Sequence, residues 1–142
     1  MTTQGYGVNI SKNAGADLSA HQFKAVKLDS NGNVVLCGNG ELGIGVLQNN
    51  PGNGQTATVR ISGVSKMVAS GVIGAGVAIG SDANGKAKAA VAGRTNTSDA
   101  GSATDALIGS YAMGLTTEAA TADGQIIGVL IQQMGALPTT AA

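Results

Sequence analysis

The stretch Glu41–Lys66, ELGIGVLQNNPGNGQTATVRISGVSK, decides the fold. Leu42, Ile44 and Val46 alternate with Gly43 and Gly45. Asn49-Asn50-Pro51-Gly52-Asn53-Gly54 then breaks the chain, as runs of Asn, Pro and Gly do. Beyond the break, Ala57, Val59 and Ile61 point one way while Thr56, Thr58, Arg60 and Ser62 point the other, the period of a half-buried strand. The stretch is therefore a strand, a turn-rich connection and a second strand. At Gly63 the inward period slips from two residues to three, which predicts a β-bulge, with Val64–Val68 continuing in the opposite phase.

Working outward, the same grammar recurs. Phe23–Leu28 alternates weakly into Asp29-Ser30-Asn31-Gly32-Asn33, and Val34-Val35-Leu36-Cys37 follows. Two apolar runs around Asn-Gly predict a hairpin. Asp17–Gln22 could open a helix capped by Asp17, or continue as strand or loop. Val77-Ala78-Ile79 and Lys86–Val91 flank Gly80-Ser81-Asp82-Ala83-Asn84-Gly85 as a second hairpin. Gly114-Leu115-Thr116 and Gly124–Ile131 match Gly45-Val46-Leu47 and Gly54–Ile61. Residues 24–68 and 77–131 thus suggest a two-fold internal repeat, against chance recurrence of similar β-motifs. Residues 93–105 are a polar insert expected to form an exposed loop. Residues 1–16 read as an extended arm, 17–133 as a single β-rich domain, and 134–142 as a loose tail. Ile126, Ile127, Val129, Leu130 and Ile131 are apolar on both faces, as in a covered central strand. About eight short strands with little helix predict an all-β fold, a small β-barrel or β-sandwich of antiparallel strands.

Composition excludes whole classes of function. The chain of 142 residues carries 11% charged residues, against roughly 25% in an average domain, and a net charge of zero. It has no basic field for nucleic acid and no polybasic segment for a membrane surface. Tyr6, Phe23 and Tyr111 are its only aromatic residues, too few for a base-stacking platform. Gly and Ala number 23 each, and Leu, Ile and Val together number 30, so the core is thin. A thin core and a sparsely charged surface favour burial against a partner. The N-terminus lacks the pattern of a signal peptide, no apolar run reaches the ~20 residues of a membrane span, and Cys37 is alone. A soluble protein made in a cytoplasm is expected.

Motif matches dissolve on inspection. Gly80–Lys86 has the spacing of a phosphate-binding P-loop, but Ala87 stands where a hydroxyl is needed, and strands rather than a helix flank it. Gly38-Asn39-Gly40-Glu41-Leu42-Gly43 fits G-x-G-x-x-G, yet a Gly-interrupted strand follows. His21 lies near Asp17 and Ser19, a proximity in sequence that builds no triad. One His and one Cys make a poor metal set, and the carboxylates form no spaced pair. No catalytic residue, cofactor or metal ligand is assigned, and an enzyme is not expected.

Asp17–Leu28, Ile44-Gly45-Val46-Leu47-Gln48-Asn49-Asn50-Pro51 and Val64-Ser65-Lys66-Met67 together resemble the small capsid cement, or head decoration, proteins of tailed bacteriophages. The likeness runs from Asp17 to Gln132, and the Ile44–Pro51 segment and the Gly63–Lys66 turn are its most specific parts. The resemblance implies a virion protein on the outer surface of the expanded head, made in the bacterial cytoplasm. It implies the major capsid protein as partner and a homotrimer that clamps neighbouring capsid subunits. A minor tail or host-adhesion β-domain is the alternative, and exposed aromatic clusters would favour it. The polar start of the chain suggests strand addition by the arm. Thr3, Gln4, Tyr6, Val8 and Ile10, with Gln48, Asn49 and Asn50 of the loop, are the candidate contact residues.

Overall fold

In the computed structural model, which describes residues 5–91 and 110–136, nine antiparallel strands form one sheet that curls into a half-barrel. The strands are β1 (Gly7–Asn13), β2 (Ala25–Leu28), β3 (Val34–Leu36), β4 (Gly45–Leu47), β5 (Thr56–Val68), β6 (Ala78–Ser81), β7 (Ala87–Ala89), β8 (Tyr111–Thr116) and β9 (Ile126–Ala136). No helix occurs among the described residues, so the fold is all-β, and Asp17 caps only a turn by accepting the Ser19 amide at 3.0 Å. The insert at 93–105 lies outside the described residues. So does the tail beyond Ala136, whereas 134–136 continue β9.

The order β3-β2-β4-β5-β9-β8-β6-β7 reads as a palindrome when β2–β5 are exchanged for β6–β9. The two hairpin turns are built alike. Asp29 Oδ1 accepts the amides of Asn31 and Asn33, and Asp82 Oδ1 accepts those of Asn84 and Lys86, at 2.8–2.9 Å. Each turn closes through a left-handed glycine, Gly32 (φ 78°) and Gly85 (φ 77°), a conformation that costs a side chain about 1 kcal/mol or more. Asp29 therefore matches Asp82, Gly32 matches Gly85, and the two turns are of equal length.

The correspondence reaches further back than residue 24. The Ala14 amide bonds to Gln55 O and the Ala69 amide to Gln125 O, each at 2.8 Å. Ala14 bridges Val34 as Ala69 bridges Ala87. The Leu18 amide bonds to Pro51 O as that of Ile73 bonds to Ala120 O. The Phe23 amide reaches Leu47 O as the Gly76 amide reaches Thr116 O, both at 2.8 Å. Phe23, at φ 63°, even shares the left-handed backbone of Gly76 at φ 69°. One unit thus runs from β1 into the first half of β5, and the other from the second half of β5 through β9.

The segment read as an arm accordingly enters the sheet, where β1 pairs with β5 from Asn13↔Thr56 to Gly7↔Gly63. The register slips between Val8↔Ser62 and Asn9↔Arg60, so Ile61 is the extra residue and the bulge sits two residues before Gly63. Gly63 (φ 98°) is where the backbones cross, since a Cβ there would overlap the Tyr6 carbonyl. Past the bulge Ser65 and Met67 are buried while Val64 and Val68 are half-exposed, the reverse of the expected phase. The second half of β5 belongs to the other unit, whose core covers it from a different side.

Each unit has a core. Ala14, Leu18, Val26, Val34, Leu47, Ala57 and Val59 fill the first, with Ile10, Ile44 and Ile61 at its rim. Met67, Ile73, Ile79, Ala87, Met113, Ile127, Val129 and Ile131 fill the second, which also takes in Ala25, Cys37 and Val46 from the first unit. Alternation along β2 and β4 thus sends Val26 and Leu47 into one core and Ala25 and Val46 into the other. In β9, Ile127, Val129 and Ile131 are covered, but Ile126 is 41% exposed, so that strand is covered less completely than expected.

Candidate interaction surface

No group of three or more His, Cys, Asp or Glu side chains that could hold a metal occurs among the described residues. Cys37 is buried, burial pushes its thiol up, and its Sγ lies 3.6 Å from Glu41 O, so no ready thiolate is presented. His21 is held below its ordinary value, first by burial and then by the Lys24 charge, whose Nζ lies 3.2 Å from Nδ1. Gly80–Lys86 forms a hairpin turn in which the Asp82 amide bonds to Lys86 O, and Lys86 pairs with Asp123 at 3.2 Å. Gly40 of the G-x-G-x-x-G match ties the two units together, its amide bonding to Ser81 O and its carbonyl accepting from Tyr111. Lys27 and Glu41 form an exposed ion pair.

What the surface offers is apolar contact. β1 is exposed along its length except at Ile10, with Tyr6 fully exposed and Val8 56% exposed. Arg60 fastens this strand to β5. Its Nε donates to Asn9 Oδ1 at 3.0 Å, and its Nη1 donates to Gly5 O at 3.1 Å and Val64 O at 2.8 Å. That clamp spans the bulge and sets the path of the first described residues. Beside β1 lies an open groove of about 450 Å³ lined by Ile10, Leu42, Gly43, Ile44, Ile61 and Gln133. Leu42 is 53% exposed there, and Gln133 Nε2 donates to Gly43 O at 2.6 Å.

Of the candidate contact residues, Thr3 and Gln4 lie outside the described residues. Tyr6, Val8 and Ile10 share the β1 region, Ile10 facing the groove. Gln48 and Asn49 work within the chain. Gln48 Nε2 donates to Val46 O and Ser65 Oγ, and Asn49 bonds both Thr56 O and the Thr58 amide. Asn50 is exposed at the loop. The groove was missed by sequence reasoning, although the alternation of Ile44 with Gly43 and Gly45 already marked one of its walls.

The sequence matches no protein-family model and no curated protein. Among solved structures, the chain is similar to the head fiber gp8.5 N base of bacteriophage phi29. The TM-score is 0.57 at 15% identity, over 89% of this chain and 95% of that one. The two share a fold.

Proposed function

We propose that this protein is a non-enzymatic structural component of a tailed-phage head, attached to the outer face of the shell, where it braces neighbouring major capsid subunits. The observation that carries the reading is the fold shared, over nearly the whole of both chains, with a part of a phage head. The resemblance of Ile44–Pro51 and Gly63–Lys66 to capsid cement proteins, and the sparse charge, point the same way. The surface most suited to the shell is the β1 region, because a strand paired along one edge presents backbone donors and acceptors on the other. Tyr6 and Val8 add apolar area beside that edge. Self-association as a homotrimer belongs to the same reading.

The experiment is to mix purified protein with expanded, undecorated heads and image them by cryo-electron microscopy. Saturable density at symmetric positions on the shell is the expected result. Bare shells, or density confined to the tail, would refute the reading. A Tyr6→Ala/Val8→Asp variant, altered only at exposed side chains, should lower occupancy at least tenfold.

A further inference from the structure

The two units give the groove a template. In the second unit, the positions matching Ile10, Ile44 and Ile61 are Ser65, Met113 and Ile131, exposed by 0%, 2% and 3%. Met113 and Ile131 are covered by the outer face of the first unit, since Ala25, Cys37 and Val46 pack into the core that holds them, and Ser65 accepts from Gln48 Nε2 of the first unit at 2.9 Å. In the first unit, Ile10, Ile44 and Ile61 remain half-exposed around the open groove. The turns repeat the contrast. A Cβ on Gly85 would lie 2.7 Å from Leu36 Cδ1 and 2.9 Å from Ala25 O, whereas on Gly32 it would meet only Lys12 Nζ, at 3.8 Å. The Ala25 amide donates to Gly85 O at 2.7 Å, sealing the junction. On the far side, Ala78, Ala90 and Leu115 of the second unit stand where Ala25, Cys37 and Val46 stand in the first, and all three are half-exposed. Among the described residues, the molecule therefore carries one filled junction and both unfilled halves of a second.

We propose that the groove of Ile10, Leu42, Ile44 and Ile61 receives the Ala78–Ala90–Leu115 face of a second copy of this chain, repeating between molecules the junction made within one. The Ala78 amide of one copy then donates to Gly32 O of the next. Such a contact is head-to-tail: each molecule offers a groove at one end and a covering face at the other, so copies close into a ring or run on as a filament. The groove lining is apolar apart from Gln133, which suits it to the apolar Ala78–Ala90–Leu115 face. The proposal names the surfaces of the self-association offered above, and it needs no capsid.

The test uses the full chain in solution. Native mass spectrometry and light scattering should give a mass that is a multiple of 13.8 kDa. Leu42→Asp, which blocks the groove, and Leu115→Lys, which blocks the covering face, should each reduce it to one chain, with circular dichroism showing that both variants fold. Mixed together, they retain one intact groove and one intact face, so they should form a heterodimer and stop there. In the native chain, hydrogen exchange at the Ala78 amide should slow as concentration rises. A native chain that is monomeric at tens of micromolar, a variant that folds yet still assembles, or a mixture that stays monomeric would each overturn the proposal. Assembly without binding to heads would leave it standing and sink the capsid reading instead.

Discussion

Gly45→Ala tests the packing between β4 and β5 most directly. Gly45 precedes the pairs Val46↔Arg60 and Leu47↔Val59. A Cβ there would overlap the Arg60 carbonyl oxygen, lie 2.9 Å from its carbon and 3.0 Å from Val59 Cγ1. Backbone atoms cannot rotate away as a side chain can, so the strands must separate. Overpacking of this kind costs about 1–3 kcal/mol. Loosening one or two ladder bonds adds about 1 kcal/mol each, and the total is about 3 kcal/mol. Urea unfolding followed by circular dichroism, at a fixed protein concentration, reads it. With a slope of about 2 kcal/mol/M the midpoint should fall by about 1.5 M. Gly114→Ala should behave alike, because its Cβ would meet the matching Leu130 carbonyl and lie 3.0 Å from Val129 Cγ1. Gly54→Ala is the control: its φ is 79° with nothing within 4 Å of a Cβ, so it should lose only about 1 kcal/mol. A loss at Gly45 no larger than at Gly54 would refute the argument from close strand approach.

Thr116→Val keeps the shape of a buried side chain but removes the hydroxyl that accepts from the Val77 amide at 3.0 Å and donates to Gly74 O at 2.7 Å. About 2 kcal/mol should be lost in the same urea assay, and an unchanged midpoint would contradict it. Acidification should destabilise in two stages. His21 has a depressed folded pKa, so its contribution is full above the ordinary value of 6.5 and disappears as pH falls through the folded value. His21→Gln should remove that upper stage. Asp82 is also held low: burial raises it, but bonds from Ser70, Lys86 and Asn84 prevail, so its share is present above 3.8 and lost below. Asp17 and Glu41 are held low as well, by the Ser19 hydrogen bonds and the Lys27 pair, so Asp82→Asn should shrink rather than abolish the lower stage of a melting-temperature profile against pH. Gly76→Ala should lose about 1 kcal/mol through its left-handed φ of 69° alone, as nothing lies within 4 Å of the added methyl. A thermal melt showing a much larger loss would mean that the loop is packed more tightly than its geometry indicates.

Local chemistry alone was enough to read much of this protein. Asp-x-Asn-Gly at 29–32 and 82–85 specifies a turn through side-chain bonds to amides at most four residues away, and alternation at Ala57–Ile61 specifies a strand. The sequence by itself was therefore enough for the all-β class and both hairpins, and it suggested, without excluding chance recurrence, that Gly45–Leu47 and Gly114–Thr116 are equivalents. It also made catalysis an unpromising reading, through the scarcity of the residues that chemistry requires. Tertiary structure decided the rest. Nothing within Gly7–Asn13 says that it will pair with Thr56–Gly63, because that partner lies some fifty residues away. Gln48 and Asn49 are polar and sit beside a turn, which suits a contact edge, yet β5 offers Ser65 Oγ, Thr56 O and the Thr58 amide to draw them inward. Ile44 and Met113 occupy equivalent places, and one borders a groove while the other is sealed. The difference lies in neither residue. It lies in whether the outer face of another unit stands over it, and burial of a half-covered strand is settled by what the rest of the chain, or another chain, brings to it.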